Sequence, residues 1–410
     1  MAIFSTNNFS GGMNDFVHPS LLDEKTASLL VDATVENGKI VPVRRPRVTQ
    51  FTTPTQFGHY GTADNSVVKW YGRYYWSNNA ALTAPFYGGN VESLGIPYPL
   101  SQPTLVAASP GAGETGLSGR YRYCICYVNA NGWEGAPSAI EDTPYAEITL
   151  DNQFVTVTAN AFPDGISYAK VYRTGASGAD FYCVGEIHTS AGTLLDKTSD
   201  TTLTLLEAID TVDNYPPPDG GKFLSEAGGV FFLAVGSNLY FTRQNNPHAW
   251  PKLQFIGFDD DITGISPEFQ GILVFTRNNA YRVIGAEDPE TITKVFIPGN
   301  QGCVNFRSIS FLNNMPVWLS NDGLCVWDGN NLSVITNGQI QAKNLQVRCA
   351  TSCDDVYYLF HAGGAIVFDQ RFGVFRKLSF VCNYCWYDSN ADRMYMQIDG
   401  YIYVFGEGKK

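Results

Sequence analysis

One pattern recurs along this chain at a nearly fixed interval, and it restricts the fold more than any other feature. An apolar strand, a tight turn and a second strand close on a bulky apolar residue. VFFLAVGSNLYF closes at Phe241, ILVFTRNNAYRVI at Ile284, PVWLSNDGLCVW at Trp327, YYLFHAGGAIVF at Phe368 and MYMQIDGYIYVF at Phe405. The spacings are 43, 43, 41 and 37 residues. A period near 40 with three or four short strands per unit is the mark of a β-propeller. VVKWYGRYYW adds a further copy closing at Trp76, 165 residues before Phe241, which is one period plus 122. The reading is therefore all-β: a roughly six-bladed β-propeller with a small domain inserted after the first blade.

A propeller must close its ring, and GKIVPVRRPRV (38–48) is the expected N-terminal partner of the C-terminal GYIYVFG. The inserted segment is bordered by LGIPYP and NYPPPDGG, whose prolines read as linkers. Between them lie short alternating strands with turn signals about every ten residues, the pattern of an immunoglobulin- or fibronectin-III-like β-sandwich. The expected organisation is an N-terminal arm, ring-closing strand and first blade over 1–96, the inserted sandwich over 97–218, and the remaining blades over 219–410.

Composition narrows the function. A net charge of -12 argues against a protein that grips nucleic acid, which needs a basic face. It is compatible with a surface that DNA slides past. No apolar run approaches the length of a membrane helix, so no membrane segment is expected. The opening MAIFSTNNFSGGMNDF lacks a signal-peptide pattern, so synthesis in the cytoplasm is expected. Nine cysteines, an odd number, read as free buried thiols. Cys382 and Cys385 form a C-x-x-C, with Cys349 and Cys353 about one repeat earlier, a set that could hold zinc. Residues three apart in one strand point to opposite faces, so core thiols are the favoured reading, with no metal and no cofactor.

Several segments taken together resemble a known family. LSGRYRYCICYVNANGWEGAPSA (117–139), the following YAKVYRTGASGADFYCVGEI, NLYFTRQNNPHAWP (238–251) and the opening FSGGMNDFVHPSLLDEKTASLLVDATVENGKIVPVRRP are similar, in the same order, to segments of tail nozzle (tail hub) proteins of short-tailed bacteriophages. The chain departs from that pattern at Arg47, where the family often has Gly. The resemblance implies a structural virion protein, not an enzyme. Copies would form a homo-oligomeric ring in the virion tail, hexameric in the family, lining the channel for DNA ejection. It implies a tail adaptor, tail fibres or other tail proteins as partners, and double-stranded DNA in transit. The alternatives are a carbohydrate-binding or glycan-hydrolysing β-propeller, whose paired carboxylates would come from distant blades and leave no local motif, and a scaffold unrelated to phage.

Candidate contact residues are few. Arg44, Arg45 and Arg47 form the densest basic cluster. They read as a solvated closing strand, with contact to DNA phosphate or an acidic partner ring as the alternative. Asp259, Asp260 and Asp261 read as an acidic turn between blades that would face the channel in the family's arrangement, with calcium ligation as the alternative. His248 and Trp250 read as a blade corner rather than an acid–base site. Trp70, Trp76, Trp318 and Trp327 read as core. There is no G-x-S-x-G, H-E-x-x-H or P-loop.

Overall fold

The computed structural model describes residues 13, 29–36, 39–43, 46–49, 64–79, 86–87, 92–138, 145–342, 344–353 and 355–405. The described chain is all-β and propeller-like. Its antiparallel four-stranded sheets, here numbered I to VI, each run from one edge strand to the other. Sheet I comprises Asn65–Trp70, Arg73–Asn78, Phe86–Tyr87 and Glu92–Ser93; sheet II, Lys222–Ala227, Val230–Val235, Asn238–Phe241 and Phe255–Gly257. Sheet III comprises Ile262–Glu268, Gly271–Thr276, Ala280–Ile284 and Thr293–Ile297; sheet IV, Ser310–Leu312, Met315–Leu319, Leu324–Trp327 and Leu332–Val334. Sheet V comprises Val347–Cys353, Val356–His361, Gly364–Asp369 and Val374–Leu378. In sheet VI, Tyr384–Asp388, Arg393–Ile398 and Tyr401–Phe405 are completed by the N-terminal Arg47–Val48.

Burial explains the sequence pattern. The middle strands are covered on both faces, so they read as continuous apolar runs: every residue of Gly271–Thr276 and of Gly364–Asp369 is buried. The apolar cores lie between successive sheets. Tyr75 and Leu94 pack on Phe231 and Leu233 between I and II, and Phe232 and Leu239 on Ile272 and Val274 between II and III. Leu273 and Phe275 meet Trp318 between III and IV, Val317 and Leu319 meet Tyr357 and Leu359 between IV and V, and Phe360 and Val367 meet Met394 and Met396 between V and VI. Trp318 and Trp327 are core, as expected, while Trp70 and Trp76 are half-buried.

The structure corrects two expectations. Trp76 lies in the second strand of sheet I, whereas the other closing residues lie in third strands; VVKWYGRYYW spans strands one and two because the third, Phe86–Tyr87, is only two residues long. The segment 38–48 also does not run as one closing strand. Lys39–Pro42 folds back on Ala33–Glu36 as a hairpin, and only Arg47–Val48 pairs with Tyr401–Phe405. The preceding chain is tied to sheet V, where the Asp32 N–H donates to the Lys377 carbonyl and the Lys377 N–H to the Leu30 carbonyl, both at 2.9 Å.

Between sheets I and II, seven strands from Thr104 to Asp196 form a separate β unit. Ala146–Thr158 couples its two halves. Its first part pairs with Leu117–Asn129; after a bulge between Leu150 and Gln153, its second part pairs with Thr104–Ala108 and Thr193–Asp196. Arg173 is fully buried in this unit. Its Nε lies 3.3 Å from Asp196, which also accepts from Tyr123 at 2.8 Å, and its Nη2 donates to the Thr198 carbonyl at 3.0 Å. Among the described residues no helix is long and apolar enough to cross a membrane.

Candidate functional site

The first strands of all six sheets border one cavity of about 330 Å³, with Val67, Ser225, Ile265, Phe311, Cys349 and Cys385 each supplied by a different sheet. Arg307, in a 3-10 turn before sheet IV, reaches Asp64 just ahead of sheet I, donating from Nε at 3.0 Å and also from Nη2. Both partners are part-exposed, so this pair contributes little stability on its own, about 0–1 kcal/mol. Its consequence is positional, because it ties sheets I and IV across the cavity.

Hydrogen bonds between sheets join like ends. The turn after the second strand of sheet IV meets its counterpart in sheet III, Asn321 Nδ2 donating to Asn278 Oδ1 at 3.3 Å. The opposite ends meet likewise: Asn313, in the first turn of sheet IV, donates to Gln370, in the last turn of sheet V, at 2.9 Å. In an antiparallel sheet, turns after strands one and three share one end, and the turn after strand two lies at the other.

The two ends therefore differ in chemistry. Tyr71, Leu253, Phe269 and Phe372 all follow first or third strands and so share one end, at 83%, 91%, 99% and 61% exposure. Tyr71 is held at φ 44° beside Gly72 at φ 77°, the pattern of a type I′ turn. An aromatic residue in that left-handed region is strained. Exposed carboxylates stand at both ends: Asp259, Asp260, Asp261, Asp322 and Asp399 at the other end, with Arg277 and Arg348 among them, and Glu287, Asp288, Glu290, Asp328 and Asp392 at the same end as the four apolar residues, with Lys252 and Arg371. Tyr401 and Val304 are the exposed apolar residues of the other end, less open than the four above.

The sequence candidates fall as follows. Asp259–261 sits in the link from sheet II to sheet III, at the end away from the four exposed apolar residues. Asp259 accepts from the Tyr281 hydroxyl and from Asn279 Nδ2, both at 2.6 Å, and the Tyr281 donor holds its carboxyl below the usual range. Burial, and then Asp259 as hydrogen-bond acceptor, push Tyr281 up to about 12. The Asp260 carboxylate caps the Asp261 N–H at 2.8 Å. These oxygens are engaged by protein donors, and among the described residues the three carboxylates do not converge as a cation site. Arg47 is exposed on the outermost strand of sheet VI; Arg44 and Arg45 lie outside the described residues.

His248 and Trp250 are buried where the inserted unit meets sheets I and II. His248 Nδ1 accepts from the Gly95 N–H at 3.2 Å, and its ring lies 5.3 Å from that of Trp133 and 6.5 Å from that of Tyr75. Burial, and then the Arg73 charge, push its pKa down to about 3, so the imidazole is neutral. Trp250 Nε1 donates to the Pro247 carbonyl at 2.9 Å.

One constellation was read differently in the sequence. Cys349, Cys382 and Cys385 bring their sulfurs within 4.8 Å of one another. The opposite-face argument assumed that Cys382 and Cys385 share a strand. The strand starts at Tyr384, so Cys382 lies in the approach to it and turns onto the same side. Cys353 is at the far end of its strand, four residues from Cys349 and so about 13 Å along the chain, and does not join them. Burial holds the Cys349 and Cys385 thiols well above the ordinary range; at Cys382 burial acts in the same direction, but hydrogen bonds with the other two thiols outweigh it and bring it to about 5.

No family model matches the chain, and no curated protein matches it. Among solved structures it is similar to the extracellular domain of BT4673 from B. thetaiotaomicron, with a TM-score of 0.35 and 11% identity over 74% of this chain and 40% of that one. It is also similar to Raptor from Chaetomium thermophilum, at 0.35 and 9% over 76% and 29%, and to BamB from Moraxella catarrhalis, at 0.34 and 9% over 76% and 99%. The chain thus spans less than half the length of the first two. Scores at this level say nothing about its activity.

Proposed function

We propose that this chain is a structural subunit of a bacteriophage tail: a closed six-bladed propeller with an inserted fibronectin-III-like sandwich, assembled with further copies, six in the family it resembles, into a ring. The ring lines the channel for DNA ejection and docks adaptor and fibre proteins. The observation that supports this reading is the difference between the two ends of the sheets. Four highly exposed apolar side chains stand at one end, one of them on a strained turn, and the contacts within the chain, Tyr71 with Trp70 and Phe372 with Arg371, leave most of their surface open. They are where the subunit seats against its neighbour in the ring. Exposed carboxylates at both ends, within a net charge of -12, repel phosphate, which suits a wall past which DNA must slide. The hub cavity of about 330 Å³ has the size of a small-molecule pocket, so the DNA channel lies between subunits.

That same cavity favours a second reading, a propeller that binds glycan at its hub. Light scattering with negative-stain imaging separates the two. The ring reading expects a hexameric particle with an open centre. The combined variant Tyr71→Ser, Leu253→Ser and Phe269→Ser is expected to keep its fold and to raise the half-assembly concentration at least about tenfold, the equivalent of ~1.4 kcal/mol. A monomer at all concentrations, with glycan retained on the hub, overturns the ring.

A further inference from the structure

The three thiols at the hub are more than core filling. Cys385 Sγ lies 3.3 Å from Cys349 Sγ, Cys349 Sγ lies 3.9 Å from Cys382 Sγ, and all three residues are buried. They come from two sheets: Cys349 from the first strand of sheet V, Cys385 from the first strand of sheet VI, and Cys382 from the approach to that strand. Tetrahedral zinc with Zn–S bonds of about 2.3 Å sets its sulfurs roughly 3.8 Å apart. The observed separations bracket that value. Cys382 and Cys385 have the C-x-x-C spacing that lets one short segment supply two ligands, and the neighbouring strand supplies the third.

We propose that Cys349, Cys382 and Cys385 form a binding site for a thiophilic divalent metal ion, zinc in the first instance, with its fourth coordination position open to the hub cavity. Cys349 and Cys385 border that cavity, which has room for a water or a small ligand at the fourth position. The ion takes the three sulfurs as thiolates, and binding releases to solvent whatever protons they still carry. The ion would bolt sheet V to sheet VI, and sheet VI is the one in which the two ends of the chain meet. The other buried thiols are placed differently. Cys303 and Cys325 lie between sheets III and IV, and Cys124 and Cys126 lie in the inserted unit.

Cobalt(II) titration of the reduced, metal-stripped full-length protein tests the site. The expected result is one equivalent of cobalt per chain, with sulfur-to-cobalt charge-transfer absorption and intense tetrahedral d–d bands, both abolished by one equivalent of zinc. Metal analysis of the protein as purified should find zinc, and zinc should raise the melting temperature of the stripped protein. The Cys382→Ser/Cys385→Ser variant should lose the absorption and Cys303→Ser should keep it. The titration of unaltered protein stands even if the double variant fails to fold. Absence of cobalt–thiolate absorption in reduced wild-type protein overturns the site. So does its persistence in the double variant, or a Cys349–Cys385 disulfide in the protein as purified without metal. None of these outcomes depends on ring formation.

Discussion

Acid should loosen the joint between the inserted unit and the sheets, with His248 as the cause. The imidazole is 1% exposed, Nδ1 accepts the Gly95 N–H, and Arg73 and Tyr75 face it from sheet I. A proton on Nδ1 would remove that acceptor and place a charge in an apolar joint. The folded-state pKa, about 3, lies below the ordinary histidine value near 6.5. Between those values the unfolded chain binds a proton that the folded chain refuses, so stability falls as pH falls. The loss begins near pH 6.5. At about 1.36 kcal/mol per pH unit it reaches roughly 2 kcal/mol at pH 5 and roughly 4 kcal/mol near pH 3, where it levels off as the folded chain takes up the proton too.

His248→Gln isolates the effect, because glutamine can still accept from Gly95 but does not titrate. Urea denaturation at pH 7 and pH 5 should show the wild type losing about 2 kcal/mol more than the variant over that interval. Hydrogen exchange gives the local readout: peptides covering 92–100 should lose protection on acidification in the wild type and keep it in the variant. Parallel losses for the two proteins, with equal exchange at Gly95, would refute the assignment.

Asp196→Ala should cost about 3 kcal/mol in chemical denaturation, because it removes the buried one of two carboxylates beside the buried Arg173 guanidinium and leaves only the part-exposed Asp200, 3.2 Å from Nη2; a loss under about 1 kcal/mol would show that Asp200 suffices. Gly95→Ala should destabilise the linker by about 1–3 kcal/mol and speed proteolytic release of the inserted unit, since Gly95 sits at φ 91° and an added Cβ would lie 2.5 Å from Pro217 Cδ; an unchanged cleavage rate would count against the joint.

The sequence revealed those strands whose burial left a periodic mark. Second and third strands such as Val230–Val235 and Gly364–Asp369 are covered on both faces and stand out as apolar runs. Edge strands left much less. Ser310–Leu312 has three residues, and Thr293–Ile297 buries only Ile297, so neither carries a period. The same weakness shifted the reading of sheet I by one strand. The closing segment was half legible, because nothing local shows that Lys39–Pro42 folds back on Ala33–Glu36 while Arg47–Val48 goes on to sheet VI. The thiol cluster was hidden for another reason. Its geometry depends on where a strand begins, and moving the start of one strand past Cys382 reverses the side to which that thiol points.

The contrast between the ends was hidden more deeply still, because it arises from topology alone. Tyr71, Leu253, Phe269 and Phe372 are spread over some 300 residues and look like isolated surface hydrophobes, which are ordinary on any protein. They share one end because the antiparallel order sends every turn after a first or third strand to the same end of its sheet, and hydrogen bonds from sheet III to IV and from IV to V join like ends. No hydrophobicity profile can register this, since the separations are set by whole sheets rather than by any helix or strand period. It also explains why the grouping can be selected without disturbing the fold. Leu253, Phe269 and Phe372 stand in turns and loops outside the apolar cores, so exchanging them should leave folding within about 0.5 kcal/mol, whereas Tyr71→Gly should stabilise the chain by about 1 kcal/mol by relieving the strained turn.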